Sequence, residues 1–242
     1  MQPGQLMMDS HYFDEIDSTN ELAKSWDLKK VFTLLSTKRQ TQGHGQRGRA
    51  WSAPQGNLSF SLIWKEPTIP LSDRARISLV TGVSLVLTLS EYTPGMLSLK
   101  WPNDLFLNGK KVSGILVEGF QDRVIIGIGI NLNSQLEDLP IELQKNSETF
   151  FHVLNKKLSE EEVLEKLTIN LIGHLSSLSQ GHWDDLMKDY SKYSCLINKK
   201  VQLEDGRRGV VAGFGHEGEL IFQDESKSSP ESIVSGSVFL EK

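Results

Sequence analysis

Between Gln40 and Pro54 the chain runs through a glycine-rich loop whose flanks both read as β-strand. Val31-Phe-Thr-Leu-Leu-Ser-Thr37 on one side is apolar and β-branched, and Asn57-Leu-Ser-Phe-Ser-Leu-Ile-Trp64 on the other alternates with period two. This strand–loop–strand order constrains the fold more than any other feature. Gly43-His-Gly-Gln-Arg-Gly48 matches G-x-G-x-x-G, but that dinucleotide fingerprint needs a helix after its last glycine, so that the helix N-terminus meets a pyrophosphate. Here Arg49-Ala-Trp-Ser-Ala-Pro-Gln-Gly and then a strand follow. A glycine loop between strands also suits a protein kinase, yet H-R-D, D-F-G, V-A-I-K and a P-loop are all missing.

The loop keeps its physical content after both exclusions. Three glycines in six residues let a backbone approach a ligand closely and turn its N–H groups toward an anion. Lys38, Arg39, His44, Arg47 and Arg49 crowd into twelve residues without an acid. Guanidinium groups suit phosphate or carboxylate, although the same residues also describe a solvated basic loop. The formal charge of −5 and the lack of a basic tail argue against a nucleic-acid partner.

The rest of the chain divides by texture. Asp17 or Ser18 caps a helix that continues through Glu21-Leu-Ala-Lys. Ser72-Asp73 should cap a long helix to about Tyr92, stopped by Pro94-Gly95. Leu97–Trp101 and Lys111–Glu118 read as two strands joined at Asn108-Gly109, and Arg123–Asn131 as another. Beyond residue 150 the period turns helical: Ser159 and Glu162 form a capping box, and Leu164, Leu167, Leu171, Leu175 and Leu178 make a core-facing stripe ended by Gly181. After Tyr193, short segments at 201–204, 210–214, 218–222 and 237–240 suggest a small β-barrel. The expectation is an α/β (α+β) chain: a mixed-sheet domain packed by helices over 1–194, and a small C-terminal SH3-like barrel over 195–242.

Cys195 is the single cysteine, so no internal disulfide forms, and a reducing cytoplasm is expected. The start has no basic n-region followed by an apolar stretch. The greasiest run, Ile77–Leu89, is broken by Ser78, Thr81, Gly82, Ser84 and Thr88, which argues against a membrane span.

A second cluster is Lys100-Trp-Pro-Asn-Asp104, followed by Lys110, Lys111 and Gly114. Pro102 keeps its neighbours out of helix. As a bare pentapeptide this is a turn beside solvated lysines. It also sets an acid able to hold Mg²⁺ close in sequence to lysines able to steady phosphate charge.

With both clusters in view the chain resembles a biotin protein ligase. Ser18-Thr19-Asn20, Gln40-Thr-x-Gly-x-Gly-x-Arg-Gly-Arg-x-Trp51, Lys100-Trp-Pro-Asn-Asp104, Lys111-x-x-Gly-Ile-Leu-x-Glu118 and Gly127-x-Gly-Ile-Asn131 stand in that family's order and spacing. Gly209-Val-Val-Ala-Gly-Phe-Gly-His-Glu-Gly-Glu-Leu220 resembles its terminal barrel. The resemblance implies activation of biotin with ATP as biotinyl-AMP and pyrophosphate, then transfer to a lysine of a biotin carboxyl carrier protein or carrier domain. It implies ATP and Mg²⁺ as co-substrate and metal, and no tightly bound prosthetic group. Ser18, Thr19, Asn20, Gln40, Gly43, His44, Gly45, Gln46 and Gly114 would form the biotin pocket together with Lys111. Arg47, Arg49, Trp51, Lys100, Asn103 and Asn131 would hold the nucleotide, with the Trp51 ring available for adenine. Lys111, Arg47, Arg49 and Asp104 would carry the catalysis, and Asp104 the Mg²⁺.

Two departures qualify the match. Gln46 stands where the family usually has an arginine, which bears on how tightly the adenylate is retained. Only about ten residues precede the matching segment, so no DNA-binding repressor module is expected. Free strand edges leave room for a homodimer.

Overall fold

A computed structural model describes residues 8–65 and 74–241. The first half of the chain contributes β1 (Met8–Ile16), α1 (Thr19–Ser25), β2 (Phe32–Gln40), β3 (Leu58–Trp64), α2 (Arg74–Leu89), β4 (Leu97–Lys100), β5 (Asp104–Leu107), β6 (Lys110–Phe120) and β7 (Arg123–Ile130). Their strands form one seven-stranded sheet in the order β1-β2-β3-β7-β6-β5-β4. The β1–β2 pair is parallel and the other pairs are antiparallel, so the sheet is mixed, as expected.

Strand β3 shows how the sequence builds two different faces. Leu58, Phe60, Leu62 and Trp64 join the main apolar core, whereas Ile63 joins a smaller cluster with Ala23, Leu35 and Ile125 beneath α1. The alternating serines do not meet solvent: every residue of β3 is buried. Period-two alternation on a central strand therefore marks a polar floor covered by other chain segments.

Two parts of the sequence expectation are corrected. The turn at Asn108-Gly109 is present, both residues at positive φ (50° and 77°), but it joins β5 to β6, and β4 precedes them as a separate strand. Strand β1 was not anticipated because Asp9, Asp14 and Glu15 make it read as polar coil. It is an edge strand, paired only with β2 among the described residues, where charge guards against unwanted pairing. The Ser72-Asp73 cap lies outside the described residues.

The second half supplies α3 (Ile141–Gln144), α4 (Phe150–Leu154), α5 (Glu160–Ser179) and α6 (Trp183–Tyr193). Ser159 caps α5 by accepting the Glu162 N–H at 3.2 Å. All five leucines of the predicted stripe are buried, and α2, α5 and α6 pack together over one sheet face. The C-terminal strands β8 (Lys200–Leu203), β9 (Arg208–Phe214), β10 (Leu220–Asp224), β11 (Glu231–Ile233) and β12 (Val238–Leu240) form a separate antiparallel sheet in the order β11-β10-β9-β8-β12. Its Val201, Val211, Leu220 and Phe222 belong to the same buried cluster as the main sheet. No helix among the described residues is long and apolar enough to cross a membrane.

The two sides of α5 give a direct test. Leu171 is fully buried and Ile169 is 47% exposed. Leu171→Ala should lower the unfolding free energy in urea by about 2–5 kcal/mol. Ile169→Ala should change it by less than about 0.5 kcal/mol. Similar losses in the two variants would contradict the orientation of α5.

Candidate active site

A cavity of about 760 Å³ opens on the sheet face opposite α2, α5 and α6, between the glycine loop, β6 and β7 of the main sheet, and the β12 end of the C-terminal sheet. Its floor is bare. On β7, Val124, Ile126, Ile128 and Ile130 turn to the core, which leaves Gly127 and Gly129 on the other face. A Cβ on Gly127 would lie 2.2 Å from Asn20 Oδ1, and one on Gly129 would lie 2.2 Å from Trp51 Cε2. The two glycines thus make room for an amide and an indole.

One end of the cavity is a buried polar network. Ser18 caps α1 and accepts the Glu21 N–H at 3.4 Å. Gln40 Oε1 accepts from the Thr19 N–H at 2.8 Å and from Thr19 Oγ1 at 3.1 Å. Ser61 Oγ lies 2.7 Å from Thr19 Oγ1 and 2.6 Å from Asn20 Oδ1, and Asn20 Nδ2 donates to Glu118 Oε2 at 2.7 Å. Thr19, Asn20 and Ser61 are almost wholly buried. Mutually satisfied groups in so dry a setting are held to one arrangement. Ser61 was missed because its β3 alternation reads only as strand. Glu118 was quoted within a motif but given no role.

The loop folds over this end as a short hairpin. The Trp51 N–H donates to Gly43 O at 2.9 Å, and the Gly45 N–H to Arg49 O at 2.7 Å. His44 Nε2 stands 3.5 Å from Glu21 Oε1 and 3.9 Å from Glu118 Oε2. These three residues place potential metal-ligating atoms within 4.8 Å of one another. Lys24 Nζ already supplies the cation there, 2.6 Å from Glu21 and 3.3 Å from Glu118. The hydrogen bond to Glu21 is the main reason its ammonium is held above the ordinary lysine range.

At the other end Lys111 Nζ sits 2.6 Å from Asp104 Oδ1 and 5.7 Å from the centre of the Trp51 ring. A β-bulge brings this about. Leu105 pairs with Ser113, but Phe106 pairs with Lys111, so Val112 is an extra residue. Val112 and Ile115 both turn to the core, while Lys111 and Gly114, three positions apart, both line the cavity. Bulges re-aim side chains in this way. A Cβ on Gly114 would meet Trp51 Cζ3 at 3.1 Å and Lys111 Nζ at 3.4 Å.

The remaining predicted residues also line the cavity, in unequal roles. Arg49 and Gln46 are exposed on the loop, and Arg47 pairs with Glu204. Lys100 lies 5.3 Å and 5.7 Å from the ring centres of Phe106 and Phe239, and burial lowers its ammonium pKa. Asn103 Nδ2 donates to Ile115 O at 2.9 Å. Asn131 Oδ1 accepts from Asn57 at 3.1 Å, and its Nδ2 donates to Glu148 O at 3.1 Å. Both amides fasten backbone around the site.

Residues 12–133 match the model of the biotin/lipoate A/B protein ligase family. The bifunctional ligase/repressor BirA of Bacillus subtilis is 33% identical over 165 residues, which cover 65% of this chain and 51% of that protein. The match therefore spans about half the length of that relative. A biotin–[acetyl-CoA-carboxylase] ligase of Mycobacterium tuberculosis is 27% identical over 183 residues, 74% of this chain and 67% of that one. Among solved structures, the biotin protein ligase of Aquifex aeolicus in complex with biotin and ATP superposes with a TM-score of 0.85 at 30% identity, covering 97% of this chain and 99% of the other.

The bare floor predicts the outcome of filling it. Gly129→Ala should expel the Trp51 ring, since its methyl would stand 2.2 Å from that ring. Of the five tryptophans, one more should become open to acrylamide quenching than in the unaltered protein. An unchanged quenching profile would place the ring elsewhere.

Proposed function

The chain belongs to the biotin/lipoate A/B protein ligase family, and from that premise we propose that it is an ATP-dependent biotin protein ligase. One observation carries this reading: Lys111 Nζ stands between Asp104 and the Trp51 ring, in the same cavity as the buried polar network and the loop arginines.

In this reading the uncharged ureido ring of biotin lies toward Ser18, Thr19 and Gln40, whose hydroxyl and amide groups are already fixed. Gly43 to Gly45 cover it with backbone, while Gln46 lies at the loop's exposed turn. The biotin carboxylate then reaches Lys111. A carboxylate oxygen attacks the α-phosphorus of ATP, the bond to the β-phosphate oxygen breaks, and pyrophosphate leaves. Negative charge grows on the α-phosphate oxygens, and a preorganised ammonium in a partly dehydrated cavity stabilises that charge more than it stabilises the reactants. Arg47 and Arg49 offer forked donors to the phosphates. In the second half-reaction an acceptor lysine amine attacks the acyl carbon and AMP departs. The acceptor is a biotin carboxyl carrier domain.

Mg²⁺ enters this account with the nucleotide. Among the cavity residues Asp104 and Glu142 carry carboxylates. Asp104 keeps one oxygen on Lys111 and has a second to offer. A single carboxylate with phosphate oxygens and water suits Mg²⁺, which would shield the phosphate charge. An ATP-consuming enzyme whose single cysteine carries no disulfide fits a reducing cytoplasm.

Lys111→Ala should reduce biotin-dependent pyrophosphate release by about 10²–10³-fold, the usual cost of one such donor, about 2.7–4 kcal/mol. Lipoate in place of biotin should release none. Near-normal release by the variant would refute the role of Lys111, and release with lipoate alone would move the chain to the other branch of the family.

A further inference from the structure

Arg47 is held from two directions. Its backbone is left-handed, with φ 58° and ψ 31°, a conformation that a residue with a side chain keeps only where its surroundings impose it. Its Nη1 donates to Glu204 Oε2, 157 positions away in sequence, in the turn between β8 and β9. The same carboxylate oxygen accepts the Ser237 N–H at 3.2 Å. Gly236, Ser237, Val238 and Phe239 form the C-terminal wall of the cavity. The glycine loop is therefore tied, through one arginine, to the sheet that closes the far side of the site.

We propose that Glu204 is a positioning residue of the nucleotide site: acting through Arg47, it clasps the glycine loop to the β8–β9 turn, so that the C-terminal sheet sets where this guanidinium meets the phosphates. The assignment of phosphate to Arg47 rests on the adenylation reading above; the clasp itself rests on geometry. A guanidinium has five N–H donors in a fixed fork, so Nη1 can hold Glu204 while the others face a ligand. Two half-exposed side chains form a weak pair on their own. This pair is stiffened at both ends, by the Ser237 N–H on the carboxylate and by the loop hairpin bonds of Gly45 and Trp51 that flank Arg47. The hydrogen bond from Arg47, and after it the one from the Ser237 N–H, hold the Glu204 carboxyl below its ordinary range.

The test uses Glu204→Gln, Arg47→Ala and the double variant in the full chain. Pyrophosphate release should show KM for ATP rising about three- to fivefold in Glu204→Gln, a loss typical of one exposed ion pair. KM for biotin and kcat should stay within about twofold. Added to Arg47→Ala, Glu204→Gln should have no further effect on KM for ATP, because its route through Arg47 is gone. A full independent effect in that background, or an equal rise in KM for biotin, overturns the proposal. The second arm needs no activity: without substrates, proteinase K should cut Glu204→Gln between Gln40 and Trp51 several times faster than the unaltered chain. Equal cutting overturns the clasp. If the unaltered chain releases no pyrophosphate, the ligase reading falls, and proteolysis alone decides whether the clasp exists.

Discussion

The site depends on the contact between the Trp51 ring and the backbone of Gly129. A central strand of a buried sheet normally carries side chains on both faces, and the face of β7 toward α2 and α5 is packed with Val124, Ile126, Ile128 and Ile130. Had the other face carried side chains too, the sheet would have been a two-sided core with no room for a ligand. Gly127 and Gly129 remove that possibility at two adjacent same-face positions, and Asn20 and Trp51 take the space. Neither comes from a neighbouring strand. Asn20 arrives on α1 and Trp51 at the end of the glycine loop, so the bare patch fixes where two otherwise independent segments come to rest. The loop's position, the floor of the cavity and the seat of Lys111 beside the indole all follow from it.

The bulge in β6 solves a second geometric problem. A regular strand would turn Lys111 and Gly114 to opposite faces, since same-face residues are an even number apart. The extra Val112 shifts the phase between them. The ammonium reaches the cavity, Gly114 leaves room for it and for Trp51, and Ile115 still reaches the core. Were this stretch a regular strand with Val112 kept in register, Lys111 would turn among apolar side chains, where an unpaired charge is costly, so one residue of register decides whether the ammonium meets the cavity or the core.

Much of this was legible in the sequence, and the parts that were not share a cause. The glycine loop, the α5 stripe and the Asn108-Gly109 turn come from local pattern, which needs only a few neighbouring residues to speak. The cavity residues read from motifs, Lys111, Asp104, Trp51 and the Ser18–Asn20 cap among them, do converge on one place. Strand β1 escaped notice because an edge strand obeys pairing geometry while its charges advertise coil. Ser61 and Glu118 stayed silent because their partners, Thr19 and Asn20, lie 41 to 98 positions away. Asn103 and Asn131, expected to hold a nucleotide, line the cavity, but their amides are spent on backbone of β6 and of the segment after β7. Spacing reveals that a residue belongs to a site; it does not reveal which of its atoms face the ligand.

The polar network at the α1 end of the cavity shows why such residues must be set before any ligand arrives. Thr19, Asn20 and Ser61 are nearly water-free, so a donor left unpaired there would cost about 1–3 kcal/mol. Gln40, Ser61 and Glu118 satisfy one another's neighbours in a chain that crosses from β2 through α1 and β3 to β6. Each link removes an alternative rotamer from the next. A ligand that completes this network gains hydrogen bonds without ordering the groups that make them, whereas one lacking matching donors and acceptors strands groups already dehydrated. The sheet and the α1 cap thus present preset, uncharged polar groups at this end of the cavity, while the charged side chains of the loop arginines and Lys111 line other parts of it.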